Sequence, residues 1–136
     1  MDVINTSQIV SAENNFATYS LNNGILSLHY KSEIRNLAFY MAVDIVETRR
    51  TITQGQSFPL FVDLNCLRFA DVKTMKYSMS QESTRGVSAI ALLVRTYQQK
   101  LLTSLFVKVY ERKVFFPVEM FYSEEDALEW LKQFIK

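Results

Sequence analysis

His29 and Cys66 are the residues best suited to chemistry, because the chain contains one histidine and one cysteine. A thiolate nucleophile needs a histidine and an acid beside it, and these two residues lie on separate predicted elements. A metal ion needs several ligands of these types, so His29 is not expected to bind one. Gly24, Gly55 and Gly86 each lack a second glycine nearby and form no phosphate-binding loop. We therefore expect neither a metal nor a cofactor.

Asp44 and Glu47 lie three residues apart on a predicted helix and are a candidate carboxylate pair for acid–base catalysis. Arg49 and Arg50 follow within a turn, so ion pairing on a solvated helix face explains the four charges more simply. No nucleophile, base and oxyanion-binding group can be assembled from the sequence. We therefore predict that the protein is not an enzyme.

Four basic residues, Arg68, Lys73, Lys76 and Arg85, surround a predicted strand end and the helix that follows it. A basic rim at this place could bind a phosphate or a phospholipid head group. Solvated surface charges are the simpler interpretation. The whole chain has 15 Lys and Arg against 14 Asp and Glu, a net charge of +1, so nucleic-acid binding is not expected.

The residue pattern of the first half of the chain predicts a hairpin followed by a helix. Residues 1–15 are polar and form either a tail or an extra strand. Apolar residues alternate over 16–30 on both sides of Asn22-Asn23-Gly24, which predicts two antiparallel strands joined by a tight turn. Neither Gly nor Pro occurs from Asn36 to about Gln54, which favours a helix. Its inward stripe is predicted to be Ala38, Met41, Ala42, Ile45, Arg49 and Ile52.

The second half alternates strands with helices. "PLFVDL" and "GVSAIALLV" are continuous apolar runs, typical of strands buried on both faces. Asp71 begins a short helix that extends to about Glu82. The next helix is predicted to pack through Tyr97, Leu101, Leu102, Leu105, Phe106 and Val109. A strand in "VFFPVEMFYS" precedes a closing helix whose inward residues are predicted to be Ala127, Trp130, Leu131 and Phe134.

The resulting element order, ββαβαβαβα, predicts an α/β domain over residues 16–136. Strands that alternate with helices favour a mainly parallel sheet of four to five strands, with an antiparallel N-terminal edge strand and packed helices. A chain of 136 residues with 49% apolar residues can bury a core as one domain.

The N-terminus and the apolar runs bear on where the protein works. The first ten residues lack the basic and apolar regions of a signal peptide. No apolar run approaches the roughly 20 residues that span a bilayer, so no transmembrane segment is expected. Cys66 has no second cysteine with which to form an intramolecular disulfide. We therefore expect a cytoplasmic protein.

The stretch "VDLNCLRFADVKTM", residues 62–75, resembles the motif of STAS domains, the anti-anti-sigma-factor fold of bacteria. In that family a strand ending in Asp-Leu-Ser is followed by Phe-x-Asp-Ser-Ser-Gly at a helix start. The matching positions here are Asp63, Leu64, Asn65, Leu67, Phe69 and Asp71. The element order and the closing "EEDALEWL" also resemble the SpoIIAA-like branch, which is grouped with lipid-carrying Sec14-like domains.

The resemblance implies a regulatory surface around the loop and the helix start, but without the phosphorylation switch. The family's two serines are replaced by Val72 and Lys73, neither of which can accept phosphate, and its glycine is replaced by Thr74. Asp71 remains as a helix cap, which is its simplest interpretation. The surface implied for interaction consists of Asn65, Arg68, Phe69, Asp71, Lys73, Thr74 and Lys76.

Two functions from different classes fit these features. The resemblance favours a regulatory or protein-interaction module, which should be solid inside and expose an apolar patch. The alternative is a binder of a small apolar or lipid ligand, which should enclose a cavity of several hundred Å³. We also expect self-association, most simply as a homodimer, because the apolar fraction is high and the net charge is close to zero.

Overall fold

A computed structural model describes residues 10–64, 67–110 and 116–135, and it confirms the predicted α/β class. The strands are β1 (Val10–Glu13), β2 (Ala17–Asn22), β3 (Ile25–Tyr30), β4 (Asn36–Leu37), β5 (Phe58–Asp63), β6 (Phe69–Ala70), β7 (Val87–Leu93) and β8 (Val118–Phe121). The helices are α1 (Phe39–Thr53), α2 (Val72–Ser78), α3 (Tyr97–Tyr110) and α4 (Glu124–Leu131), and a 3-10 turn (Lys132–Phe134) follows α4.

The main sheet has the strand order β1-β2-β3-β5-β7-β8. The β1–β2 and β2–β3 pairs are antiparallel, and the pairs from β3 through β5 and β7 to β8 are parallel. The sheet is wider than the four to five strands predicted, because Val10–Glu13 adds an edge strand to the hairpin. The short strands β4 and β6 pair in a separate parallel sheet. Two-residue strands have no periodicity, so no sequence pattern predicts this second sheet.

The predicted hairpin turn lies at Asn23 and Gly24, which both have positive φ, of 53° and 82°. A tight turn between antiparallel strands requires this left-handed backbone, which Asn tolerates and Gly adopts freely. A Cβ at Gly24 would also lie 2.8 Å from Cγ2 of Ile135. The glycine therefore permits both the turn and the close approach of the C-terminal segment.

The two faces of the sheet bury separate clusters, as the two-residue repeat of a strand requires. Leu60 and Val62 belong to the cluster that includes Ala42 and Ile45 of α1. Phe61, between them, belongs to the cluster that contains Ala127 and Leu131 of α4. Helix α1 therefore covers one face of β5 and α4 covers the other.

Two predicted helix boundaries differ from the structure. Helix α1 begins at Phe39, three residues after the predicted start, because Asn36 and Leu37 pair with β6. Helix α2 ends at Ser78 rather than near Glu82, and turns follow it. A serine-rich segment competes for backbone hydrogen bonds, as Ser80 does when its hydroxyl donates to the Tyr77 carbonyl at 2.6 Å.

The predicted inward faces of α3 and α4 are only partly buried. Tyr97, Leu101, Leu102 and Leu105 of α3 are exposed, which contradicts the packing predicted for them. The side chains of Phe106 and Val109 lie outside the described residues. On α4, Ala127 and Leu131 are fully buried, whereas Trp130 is partly buried against the rings of Phe121 and Phe134. Helical spacing identified both apolar faces, but it does not determine what covers them.

Candidate functional site

A cavity of about 740 Å³ lies between the main sheet and helices α1, α2 and α3. Its floor is formed by the large apolar residues of the parallel strands, including Leu28, Leu60, Val62, Ile90, Leu92 and Val118. Its walls include Ile45 and Val46 of α1, Met75 of α2, and Leu102 and Val107 of α3. This volume lies within the range of about 300 to 1,000 Å³ typical of small-molecule sites.

Two polar contacts join α3 to neighbouring parts of the chain. The side-chain amide of Gln99 donates from Nε2 to the carbonyl of Leu67 at 3.0 Å. Ser104 Oγ lies 3.6 Å from Met120 Sδ, a weak contact with β8. Leu102 lines the cavity, yet it is 61% exposed. Apolar side chains of α3 therefore reach both the cavity and solvent.

The rim of the cavity lies at the carboxyl ends of β3, β5 and β7, where ligands bind in open α/β sheets. The backbone N–H groups of Arg68 and Phe69 donate to the carbonyl of Arg35, at 2.7 and 3.2 Å. Arg35, Arg68 and Phe69 are exposed and also line the cavity. The small sheet formed by β4 and β6 thus holds two arginines and an aromatic ring at the cavity mouth.

Arg95 is a third arginine at the rim, and a buried carboxylate holds it. Its Nη2 donates to Oδ2 of Asp63 at 2.7 Å, and Asp63 is the last residue of β5. His29 Nε2 lies 3.8 Å from the same oxygen and 3.4 Å from Oε1 of Glu124. Among the described residues, no group of three or more His, Cys, Asp or Glu is arranged to bind a metal. This cluster therefore orients Arg95 beside the cavity.

Arg49 lines the cavity and is only 6% exposed, so the predicted solvated, charge-paired face is wrong for this residue. Its Nη2 donates to the carbonyl of Ser83. Burial, with a smaller contribution from the positive charge of Arg50, lowers the pKa of Arg49 to about 10. Arg49 therefore remains a buried cation at neutral pH. The sequence signal was its position on the apolar stripe of α1.

Tyr30 of β3 also lines the cavity. Burial raises the pKa of its phenol to about 12, although the positive charge of Arg49 acts in the opposite direction. The phenol is therefore protonated at neutral pH and close enough to Arg49 to be influenced by its charge. A guanidinium and a phenol in an apolar cavity can both donate hydrogen bonds to an anion.

The residues of the predicted interaction surface lie in different environments. Arg68 and Phe69 lie at the cavity rim, and Phe69 is 62% exposed. Thr74 is fully buried and does not belong to the exposed surface. Lys76 is exposed in the last turn of α2. Asn65 and Cys66 lie outside the described residues.

Asp71 and Lys73 both contribute to anchoring helix α2. Asp71 caps the helix, because its Oδ1 accepts the backbone N–H of Thr74 at 2.8 Å. Hydrogen bonding from Thr74 lowers the pKa of the Asp71 carboxyl. The ammonium of Lys73 lies 4.3 Å from the centroid of the Phe39 ring at the start of α1. Of the four basic residues predicted to form a rim, Arg68 lines the cavity and Lys73, Lys76 and Arg85 do not.

Comparison with solved structures gives the class of fold. The chain is similar to an uncharacterized protein of the DUF3478 family with a SpoIIAA-like fold from Shewanella loihica PV-4. The TM-score is 0.58 at 13% sequence identity, and the match covers 91% of this chain and 92% of that one. The predicted STAS-like architecture is confirmed at the level of the fold.

A family model, the domain of unknown function DUF7793, matches residues 19–135, and the chain belongs to this family. No curated protein matches the chain. None of the described helices combines the length and the apolar character needed to cross a bilayer.

Proposed function

We propose that the protein is a non-enzymatic SpoIIAA-like module that binds a small apolar or amphipathic ligand between the sheet and helices α1 to α3. The cavity of about 740 Å³ is the observation that carries this proposal. Its volume matches the several hundred Å³ expected of a ligand binder, and the cavity is partly open to solvent. It therefore supports ligand binding ahead of the regulatory role favoured from the sequence.

The energetics of packing support the same proposal. Apolar side chains that line an unfilled cavity lack dispersion contacts on the side that faces it. A ligand that fills the space restores those contacts and stabilises the folded state by mass action. Large side chains such as Ile90 and Leu92 line the floor and leave the volume open.

The chemistry of the lining supports binding without catalysis. Its polar residues are arginines, amides, hydroxyl groups and the phenol of Tyr30. Of the described residues that line the cavity, none is a His, Cys, Asp, Glu or Lys. These groups can orient a ligand, but they do not form a nucleophile–base pair.

Binding of Nile red, an uncharged apolar dye, tests the proposal directly. We expect saturable binding to the wild-type chain and about tenfold weaker binding to Thr103→Trp, which fills the cavity from α3. Lys108→Trp places the same ring on an exposed position of α3 and should bind the dye as the wild type does. Absence of saturable binding, or equal binding by both variants, would contradict the proposal.

Protein interaction through the α2 start remains a second candidate, supported by one observation. Phe69 and Val72 are 62% and 60% exposed and flank the Asp71 cap. Large apolar side chains exposed together are typical of docking surfaces. Val72→Glu should then reduce recovery of a specific partner without affecting dye binding. If Val72→Glu recovers the partner as the wild type does, Val72 does not contribute to a protein-binding surface.

Self-association also remains a prediction, and α3 supplies the surface on which to test it. Leu101, Leu102 and Leu105 are exposed together on this helix. If they pack against a second copy, light scattering should give a mass above the 15.8 kDa of one chain. Leu101→Lys combined with Leu105→Lys should return it to the monomer mass. A wild-type monomer at millimolar concentration would contradict the prediction.

A further inference from the structure

We propose that the ligand is a single-chain anionic amphiphile whose carboxylate binds Arg49 inside the cavity. The apolar chain would lie along the floor formed by residues such as Leu60 and Ile90. This inference rests on the proposed function and adds the chemical class of the ligand. It also assigns an orientation, with the charged group inside rather than at the mouth.

The first argument is that Arg49 is a buried cation without a counter-charge. Among the described residues, no Asp or Glu lies within ion-pair distance of its guanidinium, and the neighbouring Arg50 adds a second positive charge. The Ser83 carbonyl accepts from one of its N–H groups, whereas a guanidinium carries five. A buried charge that lacks an ionic partner is costly, so an anion bound here would recover free energy.

The second argument concerns the position of Arg49 relative to the mouth. Ser83 lies just before Gly86, whose carbonyl accepts the backbone N–H of Phe58 at the start of β5. Arg49 is therefore tied to the amino-end side of the parallel strands, whereas the rim arginines follow their carboxyl ends. Since Arg49 is buried and the rim arginines are exposed, a head group on Arg49 lies inside the protein.

The third argument selects a carboxylate as the charged group. A planar guanidinium binds a carboxylate in bidentate geometry, with two parallel hydrogen bonds. One negative charge matches the one guanidinium that lines this part of the cavity. A phosphate dianion would bring a second charge into an apolar enclosure, at a further cost in desolvation.

Displacement of Nile red by three ligands with the same chain tests the inference: oleate, oleyl alcohol and oleyl phosphate, each below its micelle concentration. We expect oleate to bind the wild-type chain about tenfold more tightly than oleyl alcohol, and more tightly than oleyl phosphate. Arg49→Gln should reduce the oleate-to-alcohol ratio to within about twofold. Arg49→Lys should retain part of the preference because it keeps the charge.

Two controls separate this site from other positive charges. Arg50→Gln removes the adjacent charge, which does not line the cavity, and should reduce the preference for oleate by less than Arg49→Gln does. Arg35→Gln combined with Arg68→Gln removes two charges from the mouth and should preserve it. If the mouth variant abolishes the preference and Arg49→Gln does not, the head group lies outside and the inference is overturned.

Failure of the inference can be distinguished from failure of the proposed function. Nile red binding that Thr103→Trp weakens, together with equal affinity for oleate and oleyl alcohol, would reject the anionic ligand and retain the cavity as a binding site. A preference for oleyl phosphate over oleate would reject the carboxylate. Each Arg49 variant must still bind Nile red with wild-type affinity. If no Arg49 variant does so, the wild-type chain and the variant with both Arg35→Gln and Arg68→Gln test the inference. A preference for oleate over oleyl alcohol in both proteins supports it, and its absence from either one overturns it.

Discussion

The two faces of the main sheet differ in how they are packed. On the α4 face, Phe61, Ala89 and Ala91 meet Ala127 and Leu131, and all five side chains are fully buried. On the opposite face, the strands present large residues to a cavity of about 740 Å³, and α3 leaves leucines in solvent. The α4 face is therefore a solid face, whereas the opposite, hollow face contains the cavity and the buried charge of Arg49.

The difference follows from side-chain size on a single strand. Ala89 and Ala91 of β7 point towards α4 and allow that helix to approach closely, so the contacts there are dense. Ile90 and Leu92 point the other way and line the cavity. Alternation along the strand thus creates one tightly packed surface and one that supports a pocket.

Truncation of a leucine on each face should give the largest contrast. Leu131→Ala removes a fully buried side chain from the solid face and should lower the free energy of unfolding by about 3 kcal/mol. Leu102→Ala removes one that is 61% exposed and should lower it by less than about 0.5 kcal/mol. Chemical denaturation of both variants measures the contrast, and equal losses would mean that α3 packs as tightly as α4.

Enlargement of an alanine should give the next largest contrast. Ala127→Leu adds atoms to the solid face and should destabilise by about 2 kcal/mol, because close-packed cores have no room for them. Ala42→Leu adds the same atoms to a buried position of α1 that lines the cavity, and its effect should stay within about 0.5 kcal/mol. Comparable destabilisation by both would contradict a hollow face.

The solid face could be predicted from the sequence more fully than the hollow one. The apolar runs of β5 and β7 and the spacing of α4 identified the strands, the closing helix and its buried residues Ala127 and Leu131. The sequence allows either a tail or a strand at β1 and contains no pattern that predicts the small β4–β6 sheet, since short strands depend on pairing partners more than on local pattern. The hairpin is predictable because Asn23 and Gly24 are residue types that accept the positive φ that its turn requires.

The cavity could not be predicted, because its volume depends on the distance between α3 and the sheet. Periodicity identified the apolar stripe of α3 without revealing that Leu101 and Leu105 remain exposed. Arg49 was recognised on the stripe of α1, but its neighbours in sequence suggested a charge-paired surface. An arginine on an apolar stripe is itself a signal of a buried cation, and it could have pointed to this site.

Removal of the Asp71 cap should have a smaller effect, because it acts on one short helix of the hollow face. Asp71→Ala frees the backbone N–H of Thr74 and should lower the melting temperature by about 2 to 5 °C at pH 7. The cap lowers the carboxyl pKa in the folded state, so its contribution exists above the unfolded pKa.

The same contribution is lost as the pH falls through the lowered, folded-state pKa of Asp71. The melting temperatures of wild type and Asp71→Ala should therefore converge below about pH 3.9, the ordinary pKa of Asp. Thermal melts at neutral and acidic pH test this convergence. A difference that is the same at both would mean that the carboxylate is not the group that anchors α2.

Charge reversal at Lys73 should have the smallest effect on stability, because two contributions oppose each other. A glutamate in the first turn of α2 interacts favourably with the helix dipole, by about 0.5 kcal/mol. Reversal also removes the ammonium from the Phe39 ring, at a cost of about 0.5 kcal/mol. We therefore expect Lys73→Glu to change the free energy of unfolding by less than about 0.5 kcal/mol.

Lys76→Glu is the matched control, since the same reversal in the last turn opposes the dipole and should destabilise. If Lys73→Glu destabilises more than Lys76→Glu in denaturant melts, the contact of Lys73 with the Phe39 ring outweighs the interaction with the helix dipole. The packing of α2 against α1 would then contribute more to stability than the exposure of Lys73 indicates.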